Sequence, residues 1–133
     1  MMTSTFPATA EGLANATESL SQTLDAAGCP VKARTKLMVA FDEIASNIVN
    51  YSGASEFTVE IDFPENPDAV RISFSDEGRP FNPLGSSDPD VTLPAADRTI
   101  GGLGLFMVKK MMDNVSYVHE GGRNVLTISK LRE

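Results

Sequence analysis

Apolar residues recur at three- and four-residue spacing between Lys36 and Gly53: Leu37, Phe41, Ile44 and Ile48, with Met38 and Ala45 widening the stripe. That spacing marks one face of a helix. An earlier stripe of Leu13, Ala16, Leu20, Leu24 and Ala27 predicts a helix from about Thr9 to Ala27. Gly28 and Pro30 stop it and start the next, which runs from about Val31 to Ser52, with Gly53 as its C-terminal stop. Met1 to Ala8 is too short to assign, and an added edge strand is one use for it.

Past Gly53 the period falls to two. Phe57, Val59, Ile61 and Phe63 alternate with polar residues, and Val70, Ile72 and Phe74 do the same. Each run reads as a strand with one buried face. Continuing the second count places Asp76 on the inward face, at the strand end. Leu105, Val108 and Met112 predict a third helix ending near Asp113. Asn114 to Glu120 and Arg123 to Leu131 then form a hairpin through Gly121-Gly122. Asn124 shares the face of Leu126 and Ile128. The order predicts an α/β two-layer sandwich: a mostly antiparallel mixed sheet with helices on one face. The other face is left for solvent or a partner.

Between the second strand and the third helix lies Arg79 to Ile100, with Pro80, Pro83, Pro89 and Pro94 and no sustained period. A stretch longer than about 15 residues inside a compact domain is a functional lid or a disordered segment. Too little chain follows for a second core, so 1–133 reads as one domain.

Composition narrows the classes. With 41% apolar residues the chain is globular. No apolar run approaches the roughly 20 residues needed to span a bilayer. The first residues lack the basic region and apolar core of a signal peptide. Cys29 is the only cysteine, which excludes an intramolecular disulfide and a thiolate metal cluster. A cytoplasm is the compartment expected. The net charge of −7, without a basic stripe, argues against nucleic acid and an anionic membrane. A polyanionic ligand would have to be held by local features.

Three such features stand out. Glu43 and Asn47 are one helical turn apart and project side by side, so a carboxylate and an amide could hold a cation and a reacting hydroxyl. A solvated polar face is the alternative. Asp76, inward and followed by Gly78, needs a partner if buried; a turn aspartate bonding its own backbone is the alternative. Gly101-Gly-Leu-Gly-Leu105 opens the third helix, where free N–H groups and the helix dipole favour phosphate. The spacing fits neither a Walker A loop nor a dinucleotide fingerprint, and a hinge is the plainer reading. His119, the single histidine, makes neither a metal site nor a triad.

In this order, Glu43-x-x-x-Asn47, Asp76-x-Gly78 and Gly101-Gly-Leu-Gly104 resemble the ATP-binding domain shared by gyrase, heat-shock chaperones, histidine kinases and mismatch-repair ATPases. Asp-Glu-Gly-Arg-Pro-Phe-Asn-Pro, Gly-Gly-Leu-Gly-Leu and Gly-Gly-Arg-Asn-Val-Leu are similar to its small stand-alone branch, the bacterial anti-sigma factor serine/threonine kinases. The resemblance covers about Ala8 to Lys130. It implies that Asp76 accepts a hydrogen bond from the adenine amino group and that Gly78 lets the base approach. It implies that Asn47 binds Mg²⁺, that the amides of Gly101, Gly102, Leu103, Gly104 and Leu105 hold the phosphates of ATP, and that Glu43 is the general base. Asn124 falls near the adenine, where many relatives carry threonine. Pro80 replaces a glycine of many relatives, and Asn15 stands on a first helix without the arginine some family kinases use. The implied function is an anti-sigma factor that phosphorylates a small anti-sigma-antagonist protein and sequesters a sigma factor, with a homodimer as the form common in that family. The alternative is a nucleotide-responsive binding regulator without kinase activity.

Overall fold

The computed structural model describes residues 1–80 and 102–133, the side chains of 102–105 excepted. Strand β1 (Met2–Pro7) is followed by helices α1 (Ala10–Ala26) and α2 (Val31–Asn47), a π-helical turn (Ile48–Ser52), strands β2 (Glu56–Asp62) and β3 (Ala69–Asp76), helix α3 (Gly102–Met111), and strands β4 (Asn114–Glu120) and β5 (Arg123–Leu131). The strands form one sheet in the order β1-β2-β3-β5-β4. All four pairings are antiparallel, so among the described strands the expected, mostly antiparallel sheet has no parallel member.

Each element follows from its local chemistry. Thr9 caps α1, its hydroxyl accepting from the Gly12 N–H at 3.0 Å. The α2 stripe buries Leu37, Phe41, Ile44 and Ala45. The helical run does reach Ser52, but its last five residues widen into the π turn instead of continuing as α-helix. Gly53 ends it in the left-handed region at φ 79°, a conformation that costs other residues energy. The β4–β5 hairpin turns through Gly121 and Gly122, both at positive φ, as a two-residue turn matched to strand twist requires. β1 becomes the edge strand by pairing with β2, Phe6 facing Phe57.

The core lies between the sheet and the helices. Phe57, Val59 and Ile61 from β2, Val70, Ile72 and Phe74 from β3, and Leu126 and Ile128 from β5 meet Leu20, Leu24, Leu37, Phe41 and Ile44. Phe41 and Phe74 stack with ring centroids 5.2 Å apart and pin α2 to β3. A fully buried side chain of this size contributes about 1.5–3 kcal/mol. The face that presents Glu43 is therefore held rigidly over the sheet end that presents Asp76. Among the described residues no helix is long and apolar enough to cross a membrane.

Candidate functional site

On α2, Glu43 and Asn47 are half-buried and in contact: Asn47 Nδ2 donates to Glu43 Oε1 at 3.2 Å. The bond turns the amide so that its Nδ2 faces the carboxylate, which leaves Asn47 Oδ1 as an oxygen acceptor of the kind hard cations take. Glu43 also borders a groove of about 380 Å³, lined by Met38, Val39, Asp42, Met107 and Met111 among others. Among the described residues no three His, Cys, Asp or Glu side chains gather as a metal cluster. A cation beside Asn47 would take most of its ligands from elsewhere.

At the end of β3, Asp76 is only 4% exposed, on the inward face that the alternation predicts. Its Oδ1 accepts from the Gly78 N–H at 2.8 Å and from Asn124 Nδ2 at 3.2 Å. The turn aspartate and the inward carboxylate are thus the same residue, since bonding its own backbone does not take Asp76 out of the interior. None of the hydrogen bonds among the described residues engages Oδ2. A carboxylate this enclosed with one oxygen left for a donor is suited to reading an amino group.

Gly78 has a second constraint beyond access for a ligand. A Cβ there would lie 2.4 Å from the Ser52 carbonyl oxygen and 2.8 Å from Asp76 Oδ1. The neighbouring Arg79 N–H donates to that same Ser52 carbonyl at 2.9 Å, and the Arg79 guanidinium donates to the Tyr51 carbonyl. The Asp76 turn is therefore docked on the π turn that ends the Glu43 helix. Arg123 braces the turn from outside, reaching Glu77 at 3.0 Å and the Ser75 hydroxyl at 3.2 Å.

Asn124 stands opposite Asp76 in the β3–β5 register. Besides Asp76, its Nδ2 meets the Arg79 carbonyl at 2.7 Å and the Gly78 carbonyl at 3.4 Å, and its Oδ1 accepts from the Tyr117 hydroxyl. Asp76, Gly78 and Asn124 are thus brought together. Of the phosphate stretch, Gly102, Leu103, Gly104 and Leu105 form the start of α3, so the glycines open a helix as expected. Gly101 and residues 81–100 of the expected lid lie outside the described residues.

Sequence reasoning missed Tyr117 and the π turn. Tyr117 lies on β4 opposite Leu126. The one available signal was the polar hydroxyl it carries two strands from Asp76, which means little without the register.

A family model described as a histidine kinase-like ATPase domain matches residues 6–130. The serine-protein kinase RsbW of Listeria monocytogenes is 27% identical, across 96% of this chain and 85% of that one. Its counterpart in Listeria innocua is 26% identical with the same coverage. Among solved structures, the SiaB–SiaC complex of Pseudomonas aeruginosa superposes with a TM-score of 0.64 at 14% identity, covering 98% of this chain and 89% of the matched one. The RsbU and RsbW domains of Rv1364c from Mycobacterium tuberculosis give a TM-score of 0.63 at 15% identity, covering 98% of this chain and 32% of that one. At such identities these structures speak for the fold alone. The family model spans nearly the whole chain, every element of the site included, and the chain belongs to the histidine kinase-like ATPase domain family.

Proposed function

We propose that this chain is an ATP-dependent, Mg²⁺-requiring serine/threonine protein kinase of the anti-sigma type. Its acceptor is a small anti-sigma-antagonist protein, and its second partner is a sigma factor that it sequesters in the cytoplasm. The observation that carries the reading is the pair at one end of the molecule: Asn47 bonded to Glu43, on a helix docked through Ser52 onto the buried Asp76 turn. The serine-protein kinase names of the relatives support it.

The residues present fit the group. Mg-ATP, when bound, supplies a transferable phosphoryl group and neutralises charge developing on it. Asp76 Oδ2 accepts from the adenine amino group, which favours adenine over guanine because the guanine carbonyl would face a carboxylate. Asn47 Oδ1 offers the cation an oxygen ligand. The backbone N–H groups at the start of α3 face phosphate oxygens, as helix N-termini do. Glu43 takes the proton that the acceptor hydroxyl loses. The groove beside Glu43 gives the acceptor a way in that does not cross the base pocket.

A second reading, a nucleotide-responsive binding regulator without transfer, draws on α1. That helix carries Glu11, Glu18 and Asp25 and no lysine or arginine, so it offers no cation to phosphate or to an acidic partner. Incubation with Mg-ATP and the antagonist encoded nearby, followed by mass measurement, separates the two. The kinase reading expects a single added phosphate on a serine or threonine of the antagonist. Binding of ATP and a sigma factor with no phosphate transferred to any antagonist would leave the regulator.

A further inference from the structure

Asn124 invites assignment as a direct contact to the nucleotide base. Its hydrogen bonds describe another task. The amide has two N–H donors, and three protein acceptors compete for them: Asp76 Oδ1 at 3.2 Å, the Arg79 carbonyl at 2.7 Å and the Gly78 carbonyl at 3.4 Å. Its own oxygen accepts from the Tyr117 hydroxyl. Asn124 is 7% exposed.

We infer that Tyr117 and Asn124 are positioning residues: a relay running from β4 through β5 that holds Asp76 Oδ1 and so presents Oδ2 to the ligand. The inference rests on the proposed reading of Asp76 as the adenine-recognising group. It assigns the ligand-facing role to one oxygen of one carboxylate and removes Asn124 from the nucleotide contacts.

Three features of the geometry argue for it. First, the three acceptors around it select one of the two amide orientations, and the Tyr117 hydroxyl completes that orientation by donating to the amide oxygen. With its oxygen on Tyr117, Asn124 must turn its NH₂ toward Asp76 and the two carbonyls; the flipped amide would set its oxygen against a carboxylate and two carbonyl oxygens. Second, Asp76 Oδ1 receives two donors from opposite sides, the Gly78 N–H following it and Asn124 across the sheet. Two such donors fix the rotation of the carboxylate, which one would not. Third, the Asn124 donors close the turn itself, since they bridge Asp76 to the carbonyls of residues 78 and 79. This side chain ties the turn whose glycine lies against Ser52 to the sheet from within, as Arg123 does from outside.

The test is a double-mutant cycle read by calorimetric titration with Mg-ADP. Asp76→Ala weakens binding about ten- to a hundredfold, by loss of a charge-assisted bond. Asn124→Ala weakens it about tenfold and Tyr117→Phe about two- to threefold, as expected for losing bonds that act through Asp76. In the Asp76→Ala background both further substitutions leave the affinity unchanged, because the carboxylate they position is gone. A merely structural role, or a direct contact to the base, would carry the Asn124→Ala loss undiminished into that background, and that result overturns the inference. So does an Asn124→Ala single variant that binds like the parent. If Asn124→Ala does not fold, Asn124→Leu, of similar volume and without a donor, takes its place in the same cycle. If Asp76→Ala itself binds Mg-ADP like the parent, the adenine reading falls and the relay falls with it.

Discussion

The two ends of the site are built on different principles. At the helix end, Glu43 and Asn47 are four residues apart, half-buried, and joined by one hydrogen bond of 3.2 Å. At the strand end, Asp76 and Asn124 are 48 residues apart, almost fully buried, and bound into a network of several hydrogen bonds. Local geometry alone creates the first pair, because any α-helix sets residues i and i+4 side by side. The second exists only after the sheet has formed. In the proposed function, the helix end would exchange its single bond for a cation and a proton in each cycle, while the strand end would stay fixed and recognise. On that proposal, chemistry falls where rearrangement costs one hydrogen bond to a carboxylate, about 1.5–3 kcal/mol, and recognition where it would cost several bonds.

The largest effect that would break this division is expected at Glu43. Glu43→Ala should lower phosphate transfer by about 10²–10⁴-fold while leaving Mg-ADP affinity near that of the parent. Steady-state transfer and calorimetry on the same preparation check it. A variant that phosphorylates the antagonist at the parent rate would show that Glu43 is not the base. Gly78→Ala attacks the other end. Its new methyl would overlap the Ser52 carbonyl, 2.4 Å away, so stability should drop by about 1–3 kcal/mol in denaturant melts, with weakened nucleotide binding. Full stability in that variant would mean that the turn yields easily and is not the fixed end.

Asn47→Ala sharpens the contrast further. It should weaken ADP binding about tenfold when Mg²⁺ is present, near 1.4 kcal/mol, and hardly at all when the metal is chelated. Equal loss in both conditions would make Asn47 a contact to nucleotide, not to metal. The smallest effect lies away from both ends, at Asp113. There the Leu131 N–H at 2.7 Å, followed by Lys130 Nζ at 3.1 Å, holds the carboxyl below its usual range despite partial burial. A depressed carboxyl pKa stabilises the fold above its unfolded value of about 3.9, and that stability is lost as pH falls through the folded value. Asp113→Asn should thus melt at most about 4 °C below the parent at pH 7, because the carboxylate is partly exposed. The gap should close toward pH 3. A gap independent of pH would assign the effect to packing alone.

What the sequence disclosed, and what it withheld, divides along the same line. The stripe of Leu37, Phe41, Ile44 and Ile48 and the alternation from Val70 to Phe74 are periodic, so helix α2, strand β3 and the inward register of Asp76 were all legible. So was the adjacency of Glu43 and Asn47. Asn124 was legible as inward-facing, yet the acceptors of its amide are 45 to 48 residues away, and no local pattern encodes them. The family resemblance implies a nucleotide contact there; the structure adds the protein acceptors that its amide meets. Strand β1 has few apolar residues of its own and is defined by its pairing with β2. The Gly78 packing was hidden for a related reason, since it depends on where the π turn leaves the Ser52 carbonyl.

The π turn has one more consequence, in the arithmetic of chain length. Ile48–Ser52 joins the segment bearing Glu43 to the carbonyl on which the Asp76 turn rests, and it does so with wider coils than an α-helix. It acts as a spacer with a fixed number of residues. Inserting one residue into the α-helix ahead of it would turn Ser52 by about 100° relative to Glu43, carrying its carbonyl off the Arg79 N–H. Within it Ile48 and Val49 pack against the core, and the Ser52 hydroxyl accepts from the Ala54 N–H at 3.1 Å. What has to be kept is the rotation between Glu43 and the Ser52 carbonyl.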